Sequence, residues 1–299
     1  MIFLAISGVV NVVLNIFLIV AFGMGVEGVA IATIVSQYLS AIMVVIYLAR
    51  TRGPLRLSFR EICFSTEKFK KILYIGVPSG IQGCLFSLSN VVIQSSVNSF
   101  GDVVMAGSAA AANLETFMYI AMNAIYHVAL TFIGQNVGAK KYKNIRKVTI
   151  YSCIIVTTIG LISGAIMLIF KEPLVSLYVE SGEAMAAAFD RLWIIAATYF
   201  LCGNMEVFCA GLRALNRSIT AMFISLCGAC GLRILWIMTV FKYFYHEPQG
   251  IYVSYPITWI VTALMHLLFM VITIKSIMRK EAQENITNVA KLEVANELD

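Results

Sequence analysis

Carboxamides, hydroxyls, a few charged groups and an imidazole sit inside stretches of this chain that are otherwise apolar enough to cross a membrane. In the run 72–98, Gly83, Ser87, Asn90, Gln94 and Asn98 recur every three or four residues, with Gln82 beside them. A helix would set them along one face. In the run 106–134, Asn113, Glu115 and Thr116 stand toward one end. Asn123, His127, Thr131 and, just past the end, Gln135 follow along one face. The run 190–212 carries Gly203, Glu206 and Ala210 at the same spacing, leading to Arg213, with Tyr199 and Asn204 nearby; the run 218–241 encloses Arg233. A charged side chain at the bilayer centre costs about 3 kcal/mol even on the lower scales, so each is a functional candidate. Amides and hydroxyls also serve as glue between helices, at about 0.6 kcal/mol each. Three contiguous polar faces favour a shared aqueous cavity, because a bundle needs only scattered glue.

The candidate substrate- and ion-binding set is therefore Gln82, Asn90, Gln94, Asn113, Glu115, Asn123, His127, Asn204, Glu206 and Arg233. Glu206 leads it: hydrocarbon penalises its charge, so it can take up a proton or bind a cation when a cavity opens to one side. Glu115, nearer the outer surface, fits a solvated role equally well. Arg233 could pair with either carboxylate, which would be its structural alternative, and His127 reads first as a packing residue. Phe86, Phe117, Met118, Tyr119, Met122 and Tyr126 would add an adaptable apolar lining. No enzymatic constellation is present: there is no G-x-x-x-x-G-K-[ST], no H-E-x-x-H and no G-x-S-x-G. No cofactor or metal is called for. Cys227 and Cys230 form a lone C-x-x-C inside an apolar run, which reads as small-residue helix packing.

The elements that must hold these groups follow from composition. The 299 residues are 60% hydrophobic and 13% charged, and the mean hydropathy is +0.86. A water-soluble domain is nearer half apolar and a quarter charged, and cannot hide this much apolar surface. The expected class is all-α, a polytopic membrane helix bundle. A spanning helix needs about 20 apolar residues. The runs 2–22, 28–49, 72–98, 106–134, 148–170, 190–212, 218–241 and 251–274 meet that length. Pro78 would open the third helix, in a first turn that tolerates proline, and Pro256 would bend the eighth.

Most of the 22 basic residues fall in alternate connections, at 50–71, 138–147 and 213–217 and after the last run, while acidic residues dominate the others. The positive-inside rule then puts both termini in the cytoplasm. Basic residues spaced this way suit anionic lipid headgroups, with no patch fitted to nucleic acid. The stretch 50–71 alternates Arg and Lys with Leu55, Leu57, Phe59, Ile62 and Phe64, the pattern of a short interfacial helix. Residues 281–299 form a polar tail, either frayed helix or disordered.

Several local sequences, in order, resemble the multidrug and toxic compound extrusion (MATE) family: LYIGVP at 73–78, SLSNVVIQSSVNSFG at 87–101 followed by AAAANLE at 109–115, GQNVGAKK at 134–141, and GLRALNRS at 211–218. The resemblance implies twelve helices in two six-helix lobes, of which this chain holds the fifth to twelfth. Residues 1–49 would end the N-terminal lobe, 50–71 would link the lobes, 72–280 would form the C-terminal lobe and 281–299 a cytoplasmic tail. Met1 would then be an internal start or belong to a truncated reading frame, and the missing N-lobe helices would be partners. The implied activity is export of small, cationic drugs across the plasma membrane in exchange for sodium ions or protons. The chain departs from the family in its acids: Phe86 stands where some members carry one, and Glu206 lies about one turn from the Asp of others. Two alternatives stay open, a flippase for lipid-linked precursors in the same superfamily and a non-transporting membrane protein.

Overall fold

Among the described residues of the computed structural model, eight helices are long and apolar enough to cross a membrane, in the order of the eight apolar runs. The structure describes residues 2–53, 56–58, 60 and 63–297, and only the backbone of 280, 282 and 284–297. The chain divides at Thr66 and Glu67 into two compact units.

The first unit is a helical hairpin, α1 (Ile2–Val20) and α2 (Val26–Arg50), turned by Gly23 at φ 64°. Its seam shows how two helices associate without a hydrophobic driving force. Gly28, Ala32, Ser36 and Ser40, each four residues on, are the buried face of α2, and small residues let backbones approach. Asn11 Nδ2 donates to Ser36 Oγ across that seam at 3.1 Å. Phe3 meets Tyr47, ring centroids 5.4 Å apart, at the far end. Beyond α2 the Leu57 N–H returns to the Leu48 carbonyl at 3.0 Å. Among the described residues between Arg50 and Thr66 no α-helix forms. Leu55, Phe59 and Ile62, on which the interfacial-helix expectation partly rests, lie outside the described residues.

The second unit contains α3 (Thr66–Asn98), α4 (Asp102–Gly138), α5 (Tyr142–Ile169), the short α6 (Lys171–Val175) and α7 (Gly182–Ala214). The next span, 218–241, is α8 (Ser218–Ser225), a π-helical turn at Leu226–Gly231, α9 (Leu232–Trp236) and a second π turn at Ile237–Phe241. The last is α10 (Pro248–Tyr252) and α11 (Ser254–Glu297), parted at Val253. Helix α7 is the hub, packed on α4, α5 and α11. Glycine lets it be so: a Cβ on Gly164 of α5 would lie 2.5 Å from the Ala196 carbonyl oxygen, and one on Gly107 of α4 would strike the Ala184 carbonyl.

Three boundaries differ from those read off hydropathy, and each matters below. Helix α3 starts at Thr66, so Lys68, Lys70 and Lys71 are helical, and Lys71 pairs with Glu67 at 2.6 Å. Pro78 accordingly lies buried inside the helix and not in its first turn; the Ser79 hydroxyl supplements the backbone there, donating to the Ile75 carbonyl at 2.8 Å. Helix α7 starts at Gly182, two turns before its hydropathic run, which carries Arg191 well inside the helix. Pro256 falls in the first turn of α11, so the break comes at Val253, ahead of the proline.

Candidate functional site

Where α3, α4 and α7 meet, Arg213 holds the three together. The penultimate residue of α7, it donates from Nη1 to the Tyr126 hydroxyl on α4 at 2.6 Å and from Nη2 to Gln82 Oε1 on α3 at 2.7 Å. Its guanidinium carbon lies 5.7 Å from the Tyr126 ring centroid, and its Nε has no partner. Gln82 is itself buried. Glu206 stands two turns earlier on the same face of α7, since seven residues make almost two full turns. It is half-buried, and among the described residues the ion pairs are Lys71–Glu67 and Arg191–Glu115, so its carboxylate joins none. Its electrostatic neighbours are Arg213, Tyr119, Tyr126 and Cys202. Asn123 reaches Tyr119 Oη through a long 3.4 Å contact. Gln82, Asn123 and Glu206 thus gather around one arginine and two tyrosine hydroxyls.

The polar stripes flank this junction. On α3 the buried line runs through Gln82, Ser89, Ile93 and Val97. Ser87, Asn90 and Gln94 are turned about 100° from it, Ser87 and Asn90 exposed and Gln94 half-buried. Gln94 Nε2 donates to Asn98 Oδ1 at 2.9 Å. On α4, Thr131 and Gln135 are exposed. His127 is exposed too, with only a ring edge toward Tyr126, so it is no packing residue. Met118 and Met122 are fully buried in the core against α7 and α5 and line nothing.

Several expected members lie elsewhere. Asn204 projects from the face of α7 opposite Glu206 and ties α7 to α5, donating from Nδ2 to Thr157 Oγ1 and to the Phe200 carbonyl, each at 2.8 Å. Asn113 is exposed, on the side of α4 away from Glu115, because two residues turn a helix by about 200°. Glu115 is not solvated. It is 7% exposed and Arg191 5%, and they form a two-pronged ion pair: Nε to Oε1 and Nη2 to Oε2, both 2.8 Å. Arg191 Nη1 adds the Ser108 hydroxyl at 2.8 Å.

Arg233 therefore pairs with neither carboxylate. It is 3% exposed, donates from Nη2 to Thr258 Oγ1 at 3.2 Å and lies 4.0 Å from the Tyr255 ring centroid. Its Nε has no partner. Two π turns bracket it, and such turns recur at functional sites.

Arg191, Arg213 and His266 were absent from the candidate set. Arg191 is the second residue of the run 190–212. Arg213 continues the Glu206 stripe one residue past the run 190–212. His266 is fully buried on α11, with Nε2 3.3 Å from both Ser225 Oγ and the Ala221 carbonyl and Nδ1 without a partner. The rule that flags intramembrane ionisable residues applies to all three, since Arg191 and His266 lie inside the apolar runs and Arg213 one residue beyond one. Among the described residues no group of three or more His, Cys, Asp or Glu gathers as a metal site. Cys227 is exposed while Cys230 is buried.

Known proteins resemble this chain in sequence and in fold. The chain is 25% identical over 269 residues to the probable multidrug resistance protein YoeA of Bacillus subtilis, covering 88% of this chain and 58% of that protein. It is 24% identical over 273 residues to the probable multidrug resistance protein NorM of Thermotoga maritima, with the same coverage. A third relative, 22% identical over 230 residues, is an FAD transporter of Shewanella oneidensis, of which the chain spans 50%. The chain thus spans little more than half the length of the curated relatives it matches. Among solved structures, an outward-facing multidrug resistance MATE family transporter superposes with a TM-score of 0.84 at 18% identity, over 91% of this chain and 61% of that one. The Vibrio cholerae MATE transporter VcmN in its bent form does so with 0.78 at 21%, over 90% and 61%. These superpositions share the fold. The sequence model of the MatE family matches residues 78–239, more than half of the chain, and so this multi-pass helical membrane protein belongs to the MATE family.

Proposed function

We propose that this chain forms the greater part of a secondary active multidrug exporter, which expels small cationic compounds from the cell in exchange for sodium ions or protons and performs no covalent chemistry. Glu206 carries the reading: a carboxylate that joins no ion pair among the described residues, partly open, about two turns from the C-terminal end of the most heavily packed helix, beside the polar flanks of α3 and α4. A cation drug and a coupling cation can compete for such a group, and that competition is what exchange requires. Asn90, Gln94, Asn123 and His127 would line the route on the exposed flanks, and Gln82 would be held in place through Arg213. The helices that the family resemblance puts ahead of residue 1 would close the other side of the cavity. Both termini would face the cytoplasm of the plasma membrane. The YoeA and NorM relatives, both named for multidrug resistance, support the substrate class.

The test is ethidium efflux from cells expressing the complete gene, compared with Glu206→Gln. The variant should lose at least about tenfold in initial rate, and its dependence on the sodium or pH gradient should disappear. Unchanged efflux and unchanged gradient dependence would remove Glu206 from the mechanism. A flippase for lipid-linked precursors is the second reading, favoured by Arg233, a buried guanidinium without an acid. Anionic pyrophosphate substrates would seek it, and an Arg233→Gln variant that loses their transport while keeping ethidium efflux would select that reading.

A further inference from the structure

At the basic end of the second unit the turn between α4 and α5 forms a cleft with the distal part of α11. Lys140, Lys141, Tyr142, Lys143 and Asn144 line it from the turn, and Met278 and Glu281 from α11, around about 560 Å³. A second hollow of about 380 Å³ follows on α11, with Lys275 and Arg279 over Ile272. The turn is shaped by its backbone. Lys140 sits at φ 55°, the Lys140 N–H donates to the Val137 carbonyl at 3.0 Å and the Lys141 N–H to Asn136 at 2.9 Å. The three lysines are therefore presented by a fixed loop and not gathered by their own side-chain bonds. Among the described residues none of them is in an ion pair, and the cleft offers them one carboxylate, Glu281.

Three lysines and one acid lining the cleft leave positive charge unbalanced. The depth of the cleft says what would balance it. One turn and more back along α11, Leu268, Phe269 and Ile272 are exposed apolar residues on a membrane-crossing segment. The cleft thus stands where acyl chains give way to headgroups, the level at which basic pockets take lipid phosphates and lysine stems lie along apolar surface. We propose that this cleft is a binding site for one anionic phospholipid, its phosphate held by Lys140, Lys141 and Lys143, its glycerol oxygens by the Asn144 carboxamide, and an acyl chain lying along Met278 and α11.

The purified full chain, in nanodiscs mixing phosphatidylglycerol with phosphatidylcholine, would be released into native mass spectrometry and its retained lipids counted. Wild type should keep one phosphatidylglycerol in preference to phosphatidylcholine. That preference should fall about a hundredfold in Lys140→Gln/Lys141→Gln/Lys143→Gln, at roughly a factor of five for each lysine, and should survive the triple Arg replacement. Equal retention of both lipids by wild type, or an unchanged preference in the triple Gln variant, overturns the proposal. If the triple variant does not fold, Glu281→Gln decides: removing the one opposing charge should raise the preference, and no rise overturns it. Inorganic phosphate titrated into pure phosphatidylcholine nanodiscs separates the sources. Stabilisation by phosphate alone, without lipid preference, would mean a free anion and sink the lipid assignment.

Discussion

Two guanidiniums within 6 Å of the same tyrosine ring have opposite energetics. Arg191 and Arg233 lie 5.9 and 4.0 Å from the Tyr255 centroid, yet among the described residues only Arg191 is in an ion pair with a carboxylate. Removing one member of a buried pair leaves the other charge stranded, at about 3–5 kcal/mol. Glu115→Gln or Arg191→Leu should each lose that much stability in detergent unfolding, and Glu115→Leu combined with Arg191→Leu should recover most of it. Arg233 predicts the reverse. Its guanidinium has Thr258 and a ring for company, so Arg233→Met should hold or raise the unfolding temperature by relieving an unpaired buried charge, while transport falls. A large loss of stability in Arg233→Met would show that the charge is balanced by a group outside these helices. The residue types at both places were legible, because intramembrane charge is conspicuous in any sequence. Their pairing was not: Glu115 and Arg191 are 76 positions apart, and hydropathy placed one at an outer surface and the other at a helix mouth.

Helix α7 works as a hub because its neighbours offer it glycines and alanines. In lipid, helix association rests on close contact, so a branched side chain in the seam is felt directly. Gly164→Val should cost about 1–3 kcal/mol, the range for overpacking, and should show as a lower unfolding temperature with unchanged helix content by circular dichroism. Gly8→Val is the control, since a Cβ there meets nothing within 4 Å. Helix α3 is the opposite case. Beyond Gln82–Arg213 and the Cys230 Sγ–Leu85 carbonyl contact at 3.9 Å, few bonds tie it to the rest of its unit. Gly28 and Gly250, 222 residues apart, stand alike: each is the third residue of a helix after a loop, and Ala32 and Ser254, four residues on from each, are both fully buried. The elements themselves were readable because lipid allows only long apolar helices. Their ends were not, since polar residues such as Lys68 and Glu183 continue a helix that hydropathy stops counting.

For the whole molecule the alternating basic connections predict a single orientation. With native cysteines replaced, Lys141→Cys should react with membrane-impermeant maleimide only in inverted vesicles, and Glu180→Cys only in intact cells. The opposite labelling pattern would reverse the topology and with it the direction of export. Composition by itself determined that this is a helical membrane protein, how many spans it has and which residue types stand in them, because the penalty for apolar surface in water and for charge in hydrocarbon acts on each segment alone. The motif order pointed to the family for the same local reason. Only the tertiary structure decided which charges meet, that Glu115 is bound to Arg191, that Asn204 faces α5, and that Glu206 joins no ion pair among the described residues. Those outcomes depend on the rotation of each helix about its axis against its neighbours, and a wheel drawn for one helix holds no record of the next.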